Sequence, residues 1–241
     1  MIEINIRELE DTKVKNPTII EGFPGIGMIG TIACSYMSDK LGLKLIGCIT
    51  SDSFPPIASV HDYKPVYPIR IYASEEHDLI LIYSEMIIPM EAVQALSRKI
   101  IEYAHEKKAK LIVSLAGINS ETPTDKIFGI VSKKELMIKL TENQIEAIKE
   151  GSLQGVSGTL IAEAAITGLN ALNLLSQTNM PLDPRGAALL IEKLSKIIGI
   201  PVNTNELLSE ANNFEKKIKD NMQTIQENTK NYEKLDNPMY A

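Results

Sequence analysis

Three glycines with the spacing G-x-G-x-x-G are the first feature of this sequence that could do chemistry. Gly25, Gly27 and Gly30 follow a predicted strand and open a predicted helix. In dinucleotide-binding sites, such glycines let the backbone approach a pyrophosphate at the positive end of a helix, and an acidic residue stands about 20 residues further on. Asp52 occupies a comparable position. One hypothesis is therefore a nucleoside- or dinucleotide-binding enzyme that uses the Gly25–Gly30 loop.

Other features of the same region argue against a nucleotide site. Pro24 precedes the first glycine, and Asp52 stands beside Ser53-Phe54-Pro55-Pro56, which predicts a loop instead of a strand end. The rest of the chain offers no clear second half of a dinucleotide-binding fold. In the alternative interpretation, the glycines permit a sharp turn and close packing of a helix on a sheet. We therefore expect no cofactor at this loop.

The remaining polar residues give weaker indications of chemistry. Glu85, at the end of a predicted strand, and Glu163, on a predicted helix, could line a cleft, although solvated or capping carboxylates are the alternative. Gly155-Val156-Ser157-Gly158 places a serine between glycines but lacks the G-x-S-x-G spacing of a nucleophile elbow. The sequence contains no HExxH motif and no Walker loop, so it predicts neither catalysis nor a metal site. We expect the isolated histidines on the surface or in a hairpin: His61, His77 and His105.

The amino-acid composition and net charge indicate which classes of partner the protein does not bind. Hydrophobic residues make up 44% and charged residues 23% of 241, which is typical of a globular protein. The net charge is −6 and no dense Lys/Arg stripe occurs, so we expect no nucleic-acid partner. No apolar run reaches the roughly 18 residues of a membrane helix. Cys34 and Cys48 lie in apolar segments without metal or redox spacing, which predicts reduced core residues and a cytosolic, cytoplasmic protein.

Residues 1–202 predict a single α/β domain. Short β-rich runs alternate with helical patterns, which favours a mostly parallel sheet covered by helices on both faces, and one predicted hairpin makes that sheet mixed. Asp183-Pro184 opens the last helix of this domain, and Gly199 ends it. The predicted strands include Ile2–Ile6, Thr18–Glu21, Leu43–Thr50 (a central strand), Val66–Ala73, Leu79–Ser84, Leu111–Leu115 and Leu172–Ser176. The predicted helices include Gly27–Leu41, Glu91–Lys107, Lys133–Leu140, Leu160–Leu169 and Ala187–Ile198.

Residues 203–235 predict one long helix. Asn203 and Glu206 have the spacing of a capping box, and the sequence from there to Leu235 contains no Gly or Pro. A helix of roughly 32 residues would extend about 48 Å. Apolar residues recur every seven positions, so its stripe could pack on the domain or on another chain. Asn237-Pro238 breaks this pattern, and residues 236–241 are expected to form a flexible tail. The apolar residues that recur every seven positions in the predicted helix are Ala211, Ile218, Ile225 and Tyr232.

Four segments, spread over nearly the whole chain, resemble the proteasome assembly chaperone family in its archaeal branch. Each segment is short, but their order and spacing together are fairly specific to that family. The segments are Gly22–Gly30, Gly155–Gly158, Pro181–Ala188 and Gly199–Val202.

This resemblance implies a fold distantly similar to nucleoside phosphorylases, without their activity. It implies a non-enzymatic, ATP-independent chaperone that forms homo-oligomers and binds the proteasome core particle during or after assembly. Members that dock on its α-ring use a C-terminal hydrophobic-Tyr-any-residue motif, which Met239, Tyr240 and Ala241 match. Tyr240 would bury its ring, Met239 would fill an apolar slot, and the terminal carboxylate would pair with a lysine. A plain oligomeric scaffold is a third hypothesis.

Overall fold

The computed structural model describes residues 2–209, and a nine-stranded sheet runs through that part of the chain. A separate two-stranded hairpin stands beside the sheet. The strands are β1 (Asn5–Glu8), β2 (Thr18–Gly22), β3 (Lys44–Thr50), β4 (Ser59–His61), β5 (Lys64–Val66), β6 (Ile69–Ser74), β7 (Leu79–Ser84), β8 (Leu111–Asn119), β9 (Ile127–Val131), β10 (Glu146–Ala147) and β11 (Ala171–Thr178). The helices are α1 (Ile29–Lys40), α2 (Met90–Glu106), α3 (Met137–Glu142), α4 (Gly155–Thr167), α5 (Pro184–Ile198) and α6 (Asn205–Ser209), with 3₁₀ turns at Ile26–Met28 and Lys134–Leu136.

The lateral order of the large sheet is β1-β3-β6-β7-β2-β8-β11-β9-β10. Its four central strands, β7, β2, β8 and β11, run parallel, so their carboxyl ends meet at one edge. Towards β1 each neighbouring pair is antiparallel, and β9 is antiparallel to β11. The predicted mixed sheet flanked by helices is therefore confirmed, and the hairpin of β6 and β7 is the predicted one.

Helices cover both faces of the sheet and divide the core into two parts. Ile20 belongs to a cluster with residues of α1 and α5, whereas the neighbouring Ile19 belongs to a cluster with residues of α2 and α4. This alternation follows from the period of two along a strand. Because the central strands are buried on both faces, most of their residues are apolar.

Local signals at α5 act as the sequence predicts. The Asp183 carboxylate accepts a hydrogen bond of 2.8 Å from the Gly186 N–H, which caps the first turn, and Pro184 occupies a position where no N–H is needed. Gly199 ends the helix in the left-handed conformation, with φ of 73°. Both ends of this helix are therefore fixed by residues adjacent in sequence, which is why the prediction is confirmed.

Four predicted elements differ from the structure. The strand predicted over Ile2–Ile6 forms three residues later, over Asn5–Glu8. The strand predicted over Leu43–Thr50 forms, but it lies second from the edge instead of in the centre, since an apolar run does not specify lateral neighbours. The strand predicted over Val66–Ala73 begins only at Ile69, because Pro68 cannot donate to a ladder. Helix α4 begins inside the glycine-rich segment, at Gly155, and ends at Thr167 before the left-handed Gly168.

The predicted long helix over residues 203–235 falls almost entirely outside the described residues. Its first part forms α6, in which Leu207 is buried against the domain. Asn203 accepts a hydrogen bond of 2.9 Å from the Asn205 N–H at the start of this helix. The rest of the helix and the tail over residues 236–241 lie outside the described residues. The domain boundaries and the likeness to nucleoside phosphorylases stay predictions.

Candidate functional site

The glycine loop lies at the carboxyl edge of the parallel strands, between β2 and α1. Gly27 has a φ of 68°, and a Cβ there would lie 2.8 Å from the Thr178 Cγ2. A Cβ on Gly30 would collide with the carbonyl oxygen of Leu115 in β8. These two glycines therefore allow a tight turn and close packing of α1 on the sheet, as the structural interpretation predicts. Gly25 is exposed, extended and free of such contacts, so its backbone does not require glycine.

The dinucleotide fingerprint is not assembled around this loop. In that fingerprint the acidic residue belongs to the strand next to the glycine loop. Here β3, which precedes Asp52, is separated from β2 by β6 and β7, and Asp52 is exposed in a loop beyond it. Residues 27–30 are buried, so the start of α1 does not present an open surface to a pyrophosphate. The geometry therefore does not favour the nucleotide hypothesis.

A row of three polar side chains crosses the central strands just below that edge. Glu21 in β2 is in register with Ser114 in β8, which is in register with Asn173 in β11. All three are buried, and they share the sheet face that α2 and α4 cover. Each has apolar residues on both sides in its strand, and that signal in the sequence could have identified them.

Glu21 lies at one end of the row, in β2, and is fully buried. Its carboxyl group accepts a hydrogen bond of 3.0 Å from the Phe23 N–H and one of 3.1 Å from the Ser157 hydroxyl of α4. Burial raises the pKa of Glu21 from 4.5 to about 7, although hydrogen bonds from Ser114, Ser157 and Phe23 oppose that rise. The side chain can thus hold a proton near neutral pH. The hydroxyl group of Ser157, the serine between glycines, is thus used to position this carboxyl group.

Asn173 differs from Glu21 because its amide is not satisfied. The side chain is 0% exposed, and neither its Oδ1 nor its Nδ2 has a hydrogen-bond partner among the described residues. Buried polar groups in folded proteins are nearly always paired, and an unpaired one costs about 1–3 kcal/mol. Asn173 is therefore a residue whose presence the packing of the domain does not explain.

A cleft of about 560 Å³ opens above the polar row. Its walls are largely apolar, with Phe23, Ile88 and Val93 on one side and Leu175 on the sheet, and Asn173 borders it from below. The first turn of α4, beginning at Gly155, also lines the cleft. The Gln154 side chain does not cap that helix, so the N-cap residue leaves the N–H groups of the first turn without a side-chain hydrogen bond.

Glu85 and Glu163, which the sequence suggested as cleft residues, are not brought together. Glu163 pairs with Arg98 at 3.0 Å on the outer side of the helices. Glu85 forms an ion pair with the buried Arg70 and a contact of 2.9 Å with His61 of β4. Burial alone would raise its pKa, but the His61 hydrogen bond and the Arg70 charge lower the pKa of Glu85 below its ordinary value. His61 is in a hairpin as expected, but it is not isolated.

Two further results concern residues 2–209 only. No helix in this part of the chain combines the length and the apolar character that crossing a membrane requires. Within the same residues, no group of three His, Cys, Asp or Glu side chains is arranged to hold a metal ion. The predicted partner-binding residues Met239, Tyr240 and Ala241 lie outside the described residues. The described site is therefore the cleft, and the predicted docking motif remains separate from it.

Comparisons with known proteins identify a family and several proteins to which this chain is similar. The model described as the PAC2 family matches residues 19–222. An uncharacterised protein of Methanocaldococcus jannaschii is 34% identical over 219 residues, which cover 90% of each chain. Pyrococcus furiosus PbaA, described as an archaeal homolog of proteasome-assembly chaperone, is 30% identical, with a TM-score of 0.83 over 93% of this chain and 99% of PbaA. PbaB of the same organism, described as an archaeal proteasome activator, is 19% identical and shares the fold, with a TM-score of 0.77 over 91% of this chain and 99% of its own.

Proposed function

The chain belongs to the PAC2 family, and we propose that it is a non-enzymatic, ATP-independent chaperone that binds the proteasome core particle. The observation that supports this function is the similarity to PbaA, which extends over nearly the whole of both chains. The absence of an assembled nucleotide fingerprint around Gly25–Gly30 in residues 2–209 favours a binding protein over the enzyme alternative.

The proposed contact with the core particle is the segment Met239-Tyr240-Ala241. A tyrosine ring can bury apolar area while its hydroxyl group makes a hydrogen bond, and a methionine adapts to an irregular apolar slot. We propose that this segment docks on the α-ring of the core particle. A segment of three residues binds weakly on its own, so useful affinity requires several copies of it on one oligomer. For this reason we also propose that the protein is a homo-oligomer in the cytosol.

The test is a pull-down of purified core particle with the parent protein and with Tyr240→Ala. We expect Tyr240→Ala to abolish or strongly weaken capture while the circular dichroism spectrum and oligomeric mass stay unchanged. The matched control is Tyr63→Ala, since Tyr63 is 98% exposed at the β4–β5 turn and is the same residue type on the domain surface. That variant should bind like the parent.

The outcomes separate the parts of the proposal. Equal binding by Tyr240→Ala and the parent would show that the contact lies on the domain surface. No binding by the parent, even at high core-particle concentration and low salt, would refute the function itself. Light scattering that gives the monomer mass of 26.6 kDa at micromolar concentration would refute the homo-oligomer.

A further inference from the structure

We propose that the cleft above Asn173 is a binding site for a small uncharged molecule that has a carboxamide-type end and an apolar body. A carboxamide-type end is a carbonyl oxygen with an adjacent N–H. This inference is independent of the proteasome function, because the cleft lies in the domain and the proposed docking segment, Met239–Ala241, does not.

The polar end of the ligand follows from Asn173. Its amide offers two N–H donors and one carbonyl acceptor, and none of them has a partner among the described residues. A ligand that presents an acceptor beside a donor would satisfy Nδ2 and Oδ1 together. A carboxamide does so, whereas a ketone satisfies only Nδ2 and an amine satisfies only Oδ1.

A second, independent feature points to the same kind of group. The first turn of α4, at Gly155–Gly158, lines the same cleft as Asn173. The N–H groups of a helical first turn have no partner within the helix and carry a partial positive charge. They favour an oxygen atom of the ligand, and they disfavour a cation.

The charge of the ligand follows from the walls and floor of the cleft. All the residues that line the cleft are uncharged, and its walls are apolar side chains such as Ile88 and Val93. The polar row of Glu21, Ser114 and Asn173 lies beneath the cleft, and Glu21 is its ionisable member. Ser157, which donates a hydrogen bond to Glu21, lines the cleft. Because Glu21 carries a partial negative charge near neutral pH, a second carboxylate would be repelled there. An uncharged amide avoids that repulsion and keeps its apolar body between the walls.

The full-length protein can be tested with benzamide as the probe, by ligand-observed NMR and by thermal shift. Acetophenone has the same ring and carbonyl group but a methyl group in place of the amide nitrogen, and benzoate tests the effect of charge. We expect benzamide to bind in the millimolar range. We expect acetophenone and benzoate to bind about ten-fold more weakly, because each leaves Oδ1 of Asn173 unpaired.

Asn173→Leu provides the decisive variant. It replaces the unpaired amide with an apolar side chain of similar size, so we expect a higher Tm together with at least about ten-fold weaker benzamide binding. Ser176→Ala is the matched control, because Ser176 is also buried without a described partner but lies on the other face of β11, away from the cleft. It should leave benzamide binding unchanged.

Ala116→Leu serves as a second variant in case Asn173→Leu fails to fold. Ala116 lies on the wall of the cleft, so the larger side chain should block benzamide without removing a polar group. The proposal is overturned if benzamide does not bind the parent at tens of millimolar. It is also overturned if acetophenone binds equally well, or if Asn173→Leu or Ala116→Leu binds benzamide as the parent does. Each of those results would mean that benzamide does not bind in this cleft through the amide of Asn173.

Discussion

Two buried glutamates at the carboxyl ends of neighbouring parallel strands have opposite electrostatic settings. Glu21 is near the end of β2 and Glu85 directly follows β7, so the two lie at the same edge of one sheet. Within residues 2–209, Glu21 receives hydrogen bonds only from neutral groups, and burial raises its pKa to about 7. Glu85 faces Arg70 and His61, and its pKa is lowered. Burial alone therefore does not decide the charge of a carboxyl group; the presence of a paired cation does.

The largest effect should come from removing that cation. Arg70→Met would leave Glu85 buried without its arginine partner, and we expect the free energy of unfolding to fall by about 3–5 kcal/mol at pH 7, measured by urea denaturation. The double variant Arg70→Met/Glu85→Leu removes both charges and should recover most of that loss. If the double variant were as unstable as Arg70→Met, the loss would come from the packing of Arg70 on Tyr83 and not from the charge of Glu85. The Arg70 Cζ atom lies 4.9 Å from the centroid of the Tyr83 ring.

The next effect concerns pH and Glu21. Because its folded pKa lies above its ordinary value of 4.5, the folded state favours the protonated form, and stability is lost as pH rises from about 4.5 through about 7. A shift of this size corresponds to a loss on the order of 3 kcal/mol. Glu21→Gln should lack this loss, so its stability relative to the parent should increase between pH 5 and pH 8 in urea titrations. A difference that does not change with pH would contradict the raised pKa.

Glu85 should show the opposite dependence, with a smaller effect. Its lowered pKa contributes stability that is present above the ordinary value of 4.5 and is lost as pH falls through the folded pKa. Glu85→Gln should therefore be less stable than the parent by about 2 kcal/mol at pH 7, as expected for the loss of charged hydrogen bonds. That difference should shrink below pH 4.5, measured by the same urea titrations. A constant difference down to pH 3 would refute the ion-pair explanation.

Local patterns in the sequence were sufficient for much of the fold. Helix α5 was predictable at both ends, because Asp183, Pro184 and Gly199 act on residues adjacent to them in sequence. The β6–β7 hairpin and the alternation of strands and helices were predictable for the same reason. The structural role of Gly27 and Gly30 was also anticipated, although the sequence alone left the nucleotide hypothesis open.

The lateral order of strands and everything that depends on it was decided by tertiary structure. The period of two places Glu21, Ser114 and Asn173 on one face of their own strands, but it does not say which strands are neighbours. Hydrogen bonds between β2, β8 and β11, distant in sequence, bring these residues into one row. They place Asn173 beside a cleft, without a hydrogen-bond partner in residues 2–209. The same ordering separates Asp52 from the glycine loop, whereas the packing of the separate β4–β5 hairpin brings His61 to Glu85. The sequence itself determined the elements and the family, whereas non-local pairing determined which buried polar groups meet, because that pairing has no local signature.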